Sequence, residues 1–337
     1  MTVKVAINGF GRIGRLVLRA MVEAERDDLE VVAINDLGST EANAHLFRYD
    51  STQGRFPGEV EAKGDAITLR YKGKTWGPIK VSAEKDPTKL PYRGVDVAME
   101  CTGRFTKKAD AAQLLAAGAK KVLISAPSDD AEATIAFGVN EKALTRDMTV
   151  VSNGSCTTNC LSPVTWVLHN TFGVERGYMV TVHSYTGDQR VLDTLHKDLH
   201  RARAAAVSII PTTTGAAKSI GKVLPDLLGK LDGTSIRVPT PVGSVISLDV
   251  VLKQKATKEE VIAAMQKASE GSLKGILEMN YEPLVSTDFV HNPASAIFDA
   301  PQTTVVDGGL VRVMAWYDNE WGFSNRMSDT AVFWGNL

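Results

Sequence analysis

The sequence predicts an α/β protein: a Rossmann-type doubly wound parallel sheet, followed by an α+β catalytic domain with a mainly antiparallel sheet. Three observations carry the prediction. A glycine fingerprint follows the first strand, strand and helix patterns alternate through the first half, and alternating β-branched runs dominate the second.

The first strand, Val3-Lys4-Val5-Ala6-Ile7-Asn8, alternates and is rich in β-branched residues. Gly9-Phe10-Gly11-Arg12-Ile13-Gly14 then opens an amphipathic run over residues 15–25. This is G-x-G-x-x-G in the strand-turn-helix setting it requires. Gly9 permits the tight turn, Gly11 lets a pyrophosphate approach the backbone, and Gly14 lets the helix pack on the strand. A second strand, 29–34, ends at Asn35-Asp36, roughly 20 residues beyond the fingerprint, where a carboxylate accepts hydrogen bonds from an adenosine ribose. Residues 49–91, rich in Gly, Lys and Thr, read as an inserted set of short antiparallel strands and loops. Strand 95–100, helix 107–117, strand 122–125 and strands 134–139 and 149–152 complete the sheet. In such a βαβ rhythm the ligand crevice lies at the strand carboxyl ends.

Asn153-Gly154-Ser155 reads as a turn ending in a helix N-cap, and the apolar stretch 161–168 as the helix that follows. Cys156 then lies in the first turn, where unpaired backbone N–H groups and the positive end of the macrodipole favour a thiolate. An unperturbed cysteine is only about 3% ionised at pH 7, so a downward shift of about two units raises the nucleophile population more than tenfold. His183, a lone imidazole in Thr181-Val182-His183-Ser184-Tyr185-Thr186, is its candidate partner, and an imidazolium there pushes the thiol the same way. A cysteine and a distant histidine are more often core residues than a catalytic pair. The dinucleotide fingerprint in the same chain tells against that plainer reading.

Residues 183–206 form a basic, mostly non-periodic segment carrying Arg190, His196, Lys197, His200, Arg201 and Arg203, and Thr212-Thr213-Thr214-Gly215 precedes a helix beginning near Ala216. Hydroxyls, an exposed glycine N–H and guanidinium groups at a helix start suit a phosphate. Arg237 stands among apolar residues in Ser235-Ile236-Arg237-Val238, as a charge that binds an anion does. Two phosphate-competent clusters fit a substrate with two anionic groups. Long strands are expected over 238–251 and 303–317, a covering helix over 258–268, and a last helix over 320–333. The expected domains are 1–155 for the dinucleotide and 156–318 for catalysis, with 319–337 returning to the first domain.

Composition sets bounds. The 337 residues suit two domains, and 44% hydrophobic with 23% charged residues is globular. A net charge of -1 gives no reason to expect a nucleic-acid or membrane partner, and no run reaches the roughly 18 apolar residues of a membrane helix. The chain opens directly on a strand, which leaves no room for a signal peptide. Three cysteines, Cys101, Cys156 and Cys160, make no disulfide framework, so a reducing cytoplasm is expected. Cys156 and Cys160 have no second pair to complete a metal site, and no metal is expected.

The chain resembles phosphorylating glyceraldehyde-3-phosphate dehydrogenases from end to end. The matching blocks are Asn8 to Arg15, Ile34-Asn35-Asp36-Leu37, Ser152 to Cys160, Thr181 to Asp188, Arg201 to Ala206, Pro211 to Lys218 and Trp316-Tyr317-Asp318-Asn319-Glu320-Trp321. Aspartate-semialdehyde dehydrogenases share something like the Cys156 block, but not the Asp188 and Arg237 blocks beside it. The resemblance implies NAD-dependent oxidation of D-glyceraldehyde 3-phosphate to 1,3-bisphosphoglycerate in glycolysis and gluconeogenesis. It implies Cys156 as nucleophile and His183 as base, with a thiohemiacetal and then a thioester. Thr186, Asp188 and Arg237 match the site for the substrate's own phosphate; Ser155, Thr157, Arg201, Thr214 and Gly215 match the site for the attacking phosphate. On the cofactor side, Gly9, Gly11, Arg12, Ile13 and Gly14 match the pyrophosphate turn and Asp36 the adenosine ribose. Thr102 and Phe105 match the adenine side, Ser125 the nicotinamide side, and Asn319, with Tyr317 nearby, the group that orients the carboxamide. A homotetramer is implied as well.

The pattern is departed from twice. His200 stands where many members have arginine, which bears on a family salt bridge rather than on catalysis. Thr194-Leu195 stands where NAD-specific members often have Leu-Pro. Asp36 still repels a 2′-phosphate, so NAD is expected, with some NADP use left open. The alternatives are an erythrose-4-phosphate dehydrogenase and a non-enzymatic dinucleotide-binding interaction protein.

Overall fold

The computed structural model describes residues 1–337. The chain forms two compact units: unit 1 is Met1–Phe137, Glu141–Gly154 and Ser324–Leu337, and unit 2 is Gly138–Asn140 and Ser155–Phe323.

Unit 1 contains strands β1 (Val3–Asn8), β2 (Leu29–Asn35), β3 (Glu59–Lys63), β4 (Ala66–Tyr71), β5 (Lys74–Ser82), β6 (Val97–Glu100), β7 (Lys121–Ile124) and β8 (Val150–Ser152). Its first helices are α1 (Arg12–Glu23), α2 (Thr40–Arg48), α3 (Lys108–Ala111) and α4 (Gln113–Ala116). The strands lie in the order β3-β4-β5-β2-β1-β6-β7-β8. From β5 to β8 every neighbouring pair is parallel. β6, β7 and β8 are almost wholly buried, as strands covered on both faces are. The Rossmann-type parallel sheet predicted from the sequence is present.

Its details differ in four places. Residues 49–91 do supply antiparallel pairs, β3 with β4 and β4 with β5, but β5 lies parallel beside β2 and so extends the main sheet. The strand expected over 134–139 reduces to one bridge, Thr134 to Ser152, because Gly138 at φ +90° turns the chain away. The helix expected over 107–117 is two four-residue turns, α3 and α4, meeting at Ala112. Helix α2 went unread, although Ser39 is an ordinary N-cap whose hydroxyl accepts from the Ala42 N–H.

Unit 2 contains α5 (Cys156–Phe172), β9 (Val174–Ser184), β10 (Ile210–Thr213), α6 (Ala216–Val223), β11 (Leu231–Val238), β12 (Ser244–Leu252) and α7 (Lys258–Glu270). It continues with β13 (Leu277–Asn280), β14 (Ala296–Asp299), β15 (Thr304–Val306) and β16 (Leu310–Tyr317). The sheet order is β10-β11-β9-β12-β16-β14-β13, with β15 on β16. Most pairs are antiparallel, as expected, but β9 with β11 and β13 with β14 are parallel. The run expected as one strand over 238–251 is cut at Val238. Pro239 and Pro241 offer no N–H, and Gly243 at φ +87° redirects the chain into β12. The run 303–317 is a hairpin, turned by Asp307 and Gly308, both at positive φ. Helix α5 packs on β9, β12, β14 and β16.

The last helix, α8 (Trp321–Gly335), ends within unit 1. Trp334 is fully buried there and donates from Nε1 to the Thr145 carbonyl at 3.1 Å, while Lys121 Nζ donates to the Trp334 carbonyl at 2.6 Å. Arg26 pairs with Asp329. Gly335 is pressed on the first strand, since a Cβ there would stand 2.5 Å from the Val3 side chain.

Candidate active site

Ser155 caps α5, its hydroxyl accepting from the Thr158 N–H at 3.0 Å, so Cys156 is the first helical residue. His183 is the last residue but one of β9, and its Nε2 lies 3.4 Å from Cys156 Sγ. Two contacts converge on the other ring nitrogen: Nδ1 is 2.6 Å from the Ser184 carbonyl and 2.7 Å from Arg237 Nη1. Arg237 is there because parallel register sets it directly beside His183. It also donates to the Ser184 carbonyl at 2.9 Å. A base at Nε2 requires the proton on Nδ1, where it donates to that same carbonyl. Behind the ring, Tyr317 packs edge-on at 5.9 Å between centroids, and its hydroxyl is shared with Thr157 and Thr181, each at 2.9 Å.

The electrostatics correct one expectation. Burial pushes the Cys156 thiol up, and the cation that pulls it back in part is Arg237. Burial, then Arg237, lower His183 to about 3, so the resting ring is neutral and is not the imidazolium expected from the sequence. The helix N-terminus is where the pattern put it, and the backbone N–H groups of Cys156 and Thr157 do pull the thiol down, but burial outweighs them.

The anion-site residues are distributed as follows. Arg237 Nε is buried without a partner. Arg201 pairs with Asp188 at 2.6 Å and with Asp198 at 3.3 Å, and its Nε donates to Thr212 at 2.7 Å. Burial opposes it, but Arg201 and His196 hold the Asp188 carboxyl below its usual range. The structure thus joins Asp188 to Arg201, residues that the resemblance assigns to two different phosphates. Thr186 is turned onto Gln189 by its N–H and hydroxyl, and Thr214 accepts from the Ala216 N–H at 3.2 Å. Gly215 caps α6 with open space around it. The Thr157 hydroxyl is taken by Tyr317, which leaves its backbone for a ligand. His200 is held by Asp198. Asn319 Oδ1 accepts from Ser184 Oγ at 2.7 Å, Gly243 N at 3.1 Å and Ser244 Oγ at 3.2 Å, whereas its amide nitrogen donates to no protein group. Tyr317, expected on the cofactor side near Asn319, forms the wall behind His183, its hydroxyl shared with Thr157 and Thr181.

In unit 1 the three glycines fit a dinucleotide for three separate reasons. Gly9 has φ +90°, and a Cβ there would meet the Thr102 backbone N at 2.6 Å; a Cβ at Gly14 would stand 2.1 Å from the Gly9 carbonyl; a Cβ at Gly11 would meet no atom within 4 Å. No side chain caps α1 and no acidic residue occupies its first turn, which suits a pyrophosphate near Arg12 and Ile13. The Arg12 side chain itself is held by Asp50 at 3.1 Å. Asp36 accepts from the Phe10 N–H at 2.9 Å and the Gly38 N–H at 3.0 Å, so this carboxylate braces the turn. Thr102, Phe105 and Ser125 follow β6 and β7, all half-buried. Cys101 and Cys160 are held as thiols by burial, and no cluster of His, Cys, Asp and Glu could hold a metal ion.

Residues 3–108 match the family model for the glyceraldehyde 3-phosphate dehydrogenase NAD binding domain, and residues 155–319 match the model for the C-terminal domain. The chain belongs to the glyceraldehyde-3-phosphate dehydrogenase family. It is 62% identical to the glyceraldehyde-3-phosphate dehydrogenase of Xanthobacter flavus and 60% identical to that of Cereibacter sphaeroides, each over 100% of both chains. A plasmid-encoded enzyme of that name from Cupriavidus necator is 57% identical over 98% of each chain. The protein is accordingly an oxidoreductase of this family, with NAD as its cofactor. No helix is long and apolar enough to cross a membrane.

Proposed function

We propose that the protein oxidises D-glyceraldehyde 3-phosphate with NAD and inorganic phosphate to 1,3-bisphosphoglycerate, through a thiohemiacetal and a thioester on Cys156. The observation that carries this reading is the 3.4 Å approach of Cys156 Sγ to His183 Nε2, with Arg237 beside both. Sulfur attacks the aldehyde carbon as Nε2 takes the thiol proton, and the Nδ1–H bond to Ser184 stabilises the imidazolium so formed. The backbone N–H of Cys156 and the His183 ring face the carbonyl oxygen as its charge grows. The imidazolium returns its Nε2 proton to that oxygen, giving the thiohemiacetal hydroxyl and a neutral ring, and the ring takes the same proton back as hydride departs. NAD, when bound, supplies the hydride acceptor. Phosphate then attacks the thioester carbonyl, the C–S bond breaks and Cys156 is regenerated. A thioester conserves the energy of oxidation that hydrolysis would lose.

In this reading Arg237, Thr186 and Asp188 bind the phosphate of the substrate, and Ser155, Thr157, Arg201, Thr214 and Gly215 bind the attacking one. For Asp188 to share a site with an anion, Arg201 must stay close enough to offset its charge, and the pair at 2.6 Å supports this. Asp36, Gly9, Gly11, Arg12, Ile13, Gly14, Thr102, Phe105, Ser125 and Asn319 bind the cofactor. Two features of unit 2 support a homotetramer. Val191, Leu192, Leu195, Leu199, Val207 and Ile209 are each at least 71% exposed, and one sheet face leaves Tyr178, Val180, Val182, Val251 and Met314 uncovered or half-covered. The cytoplasm is the proposed location.

NADH formation with glyceraldehyde 3-phosphate, with and without inorganic phosphate and before and after iodoacetamide, tests the reaction. Phosphate-dependent turnover abolished by alkylation is expected. Turnover indifferent to phosphate would overturn the acyl-phosphate step and the roles given to Arg201 and Thr214.

A further inference from the structure

Four neighbouring parallel strands of unit 1, β5, β2, β1 and β6, end on polar residues: Ser82, Asn35, Asn8 and Glu100. Asn8, Asn35 and Glu100 are 2%, 6% and 1% exposed, and no cation pairs with Glu100. Their side chains form one directed row. Ser82 Oγ and the Glu84 N–H each donate to Asn35 Oδ1 at 2.9 Å; Asn35 Nδ2 donates to Asn8 Oδ1 at 2.9 Å; Asn8 Nδ2 donates to Glu100 Oε2 at 2.6 Å. From the far side the Thr102 N–H donates to Glu100 Oε1 at 2.8 Å, joined by the Thr102 hydroxyl. Burial raises the Glu100 carboxyl and the Thr102 and Asn8 donors pull it back; as a carboxylate it only accepts, so donors converge on it from both sides and the row ends there. A second row runs beside it in the backbone: Asp36 N to the Ser82 carbonyl, Gly9 N to the Asn35 carbonyl, Cys101 N to the Asn8 carbonyl and Ser125 N to the Glu100 carbonyl, at 2.7–3.0 Å.

Two of these strand ends run directly into residues read as cofactor contacts, and a third does so one residue later. Gly9 starts the pyrophosphate turn, Asp36 is the ribose carboxylate, and Thr102 follows Cys101 on the adenine side. We propose that Glu100 is a positioning residue for dinucleotide binding: as the common acceptor of the row, it fixes the three loops of the crevice relative to one another before the cofactor arrives. This rests on reading the carboxyl ends of the unit 1 strands as the dinucleotide site.

The test is the isosteric change Glu100→Gln. An amide at this position sets its NH2 group against the Asn8 amide or against the Thr102 N–H, so one donor must turn away and the row loses its direction. NAD and AMP should both bind about tenfold more weakly. Turnover at saturating NAD, the KM for the aldehyde and the alkylation rate of Cys156 should stay within about twofold of wild type. The transposed double variant Asn8→Asp, Glu100→Gln restores the match, because Asp at position 8 accepts from both Asn35 and Gln at position 100. It should recover most of the lost NAD affinity. Wild-type affinity in a folded Glu100→Gln variant would overturn the proposal. Should that variant fail to fold, the double variant still decides: folded with near-wild-type affinity it supports the row, and folded but tenfold weaker it overturns it. Asp36→Ala, measured alongside, separates the two levels. If it leaves NAD binding unchanged, the crevice itself is misread; if it weakens binding while Glu100→Gln does not, only the role of Glu100 falls.

Discussion

The strand ends of unit 1 and the surroundings of Cys156 in unit 2 treat buried polar groups in opposite ways. At the carboxyl ends of the unit 1 strands, Asn8, Asn35 and Glu100 are satisfied by one another, and what faces outward is backbone and open space at Gly11. Around Cys156, polar atoms are crowded or left over: Arg237 Nη1 and the Ser184 carbonyl compete for His183 Nδ1, Arg237 Nε has no partner, and the Asn319 amide nitrogen is unused. The first arrangement is a finished cradle that a ligand enters. The second is incomplete until a ligand supplies the missing acceptors, as expected where binding must drive chemistry.

Three substitutions sharpen that contrast. The largest effect should come from Cys156→Ser, which removes the proposed nucleophile from unit 2 and leaves the cradle in unit 1 intact. Turnover should vanish while NAD still binds, and an active serine variant would refute the nucleophile. His183→Asn should slow turnover by roughly 10² to 10⁴. It also carries a pH signature. A histidine whose pKa falls to about 3 on folding takes up a proton on unfolding, so its share of stability is present above the unfolded value near 6.5. That share is lost as pH falls from there towards the folded value. Urea midpoints measured at neutral and mildly acidic pH should therefore diverge less in His183→Asn than in wild type. An equal loss would mean that the ring is charged in the folded state. Asp36→Ala should have the smallest effect on turnover. It removes a repulsion and also the acceptor of the Phe10 and Gly38 N–H groups, so NAD affinity should fall several-fold while NADP use rises. An unaltered NAD to NADP ratio would move the selectivity elsewhere, with Leu195 the next residue to test.

Unit 1 was the more legible of the two because its information is local. The glycine turn and the carboxylate that follows β2 are each set by residues within a few positions of one another, and the pattern named them; in unit 2 only the Ser155 cap is as local. The neighbours of His183 were not local. Arg237 reaches it through the parallel register of β9 and β11, across a sequence separation no periodicity reports, and the neutrality of the ring follows from burial that only the packed structure supplies. Asp188 with Arg201 was hidden in the same way, inside a loop without period. Glu100 left a signal that went unused: an acidic residue closing the apolar run Val97-Ala98-Met99 on a strand covered on both faces must have buried partners. The break at Pro239, Pro241 and Gly243 was equally visible, had chain breakers been weighed above β-branched content.

The return of the last segment to unit 1 bears on how the chain is made. Val3, in the first strand, is covered by Gly335, and Arg26 and Thr145 find their partners at Asp329 and Trp334. The dinucleotide unit therefore cannot close its own core during synthesis. The start of β1 stays uncovered while the whole of unit 2 is added. Contacts of such long sequence separation form slowly. During translation the N-terminal unit is the older part of the molecule and the last to be finished.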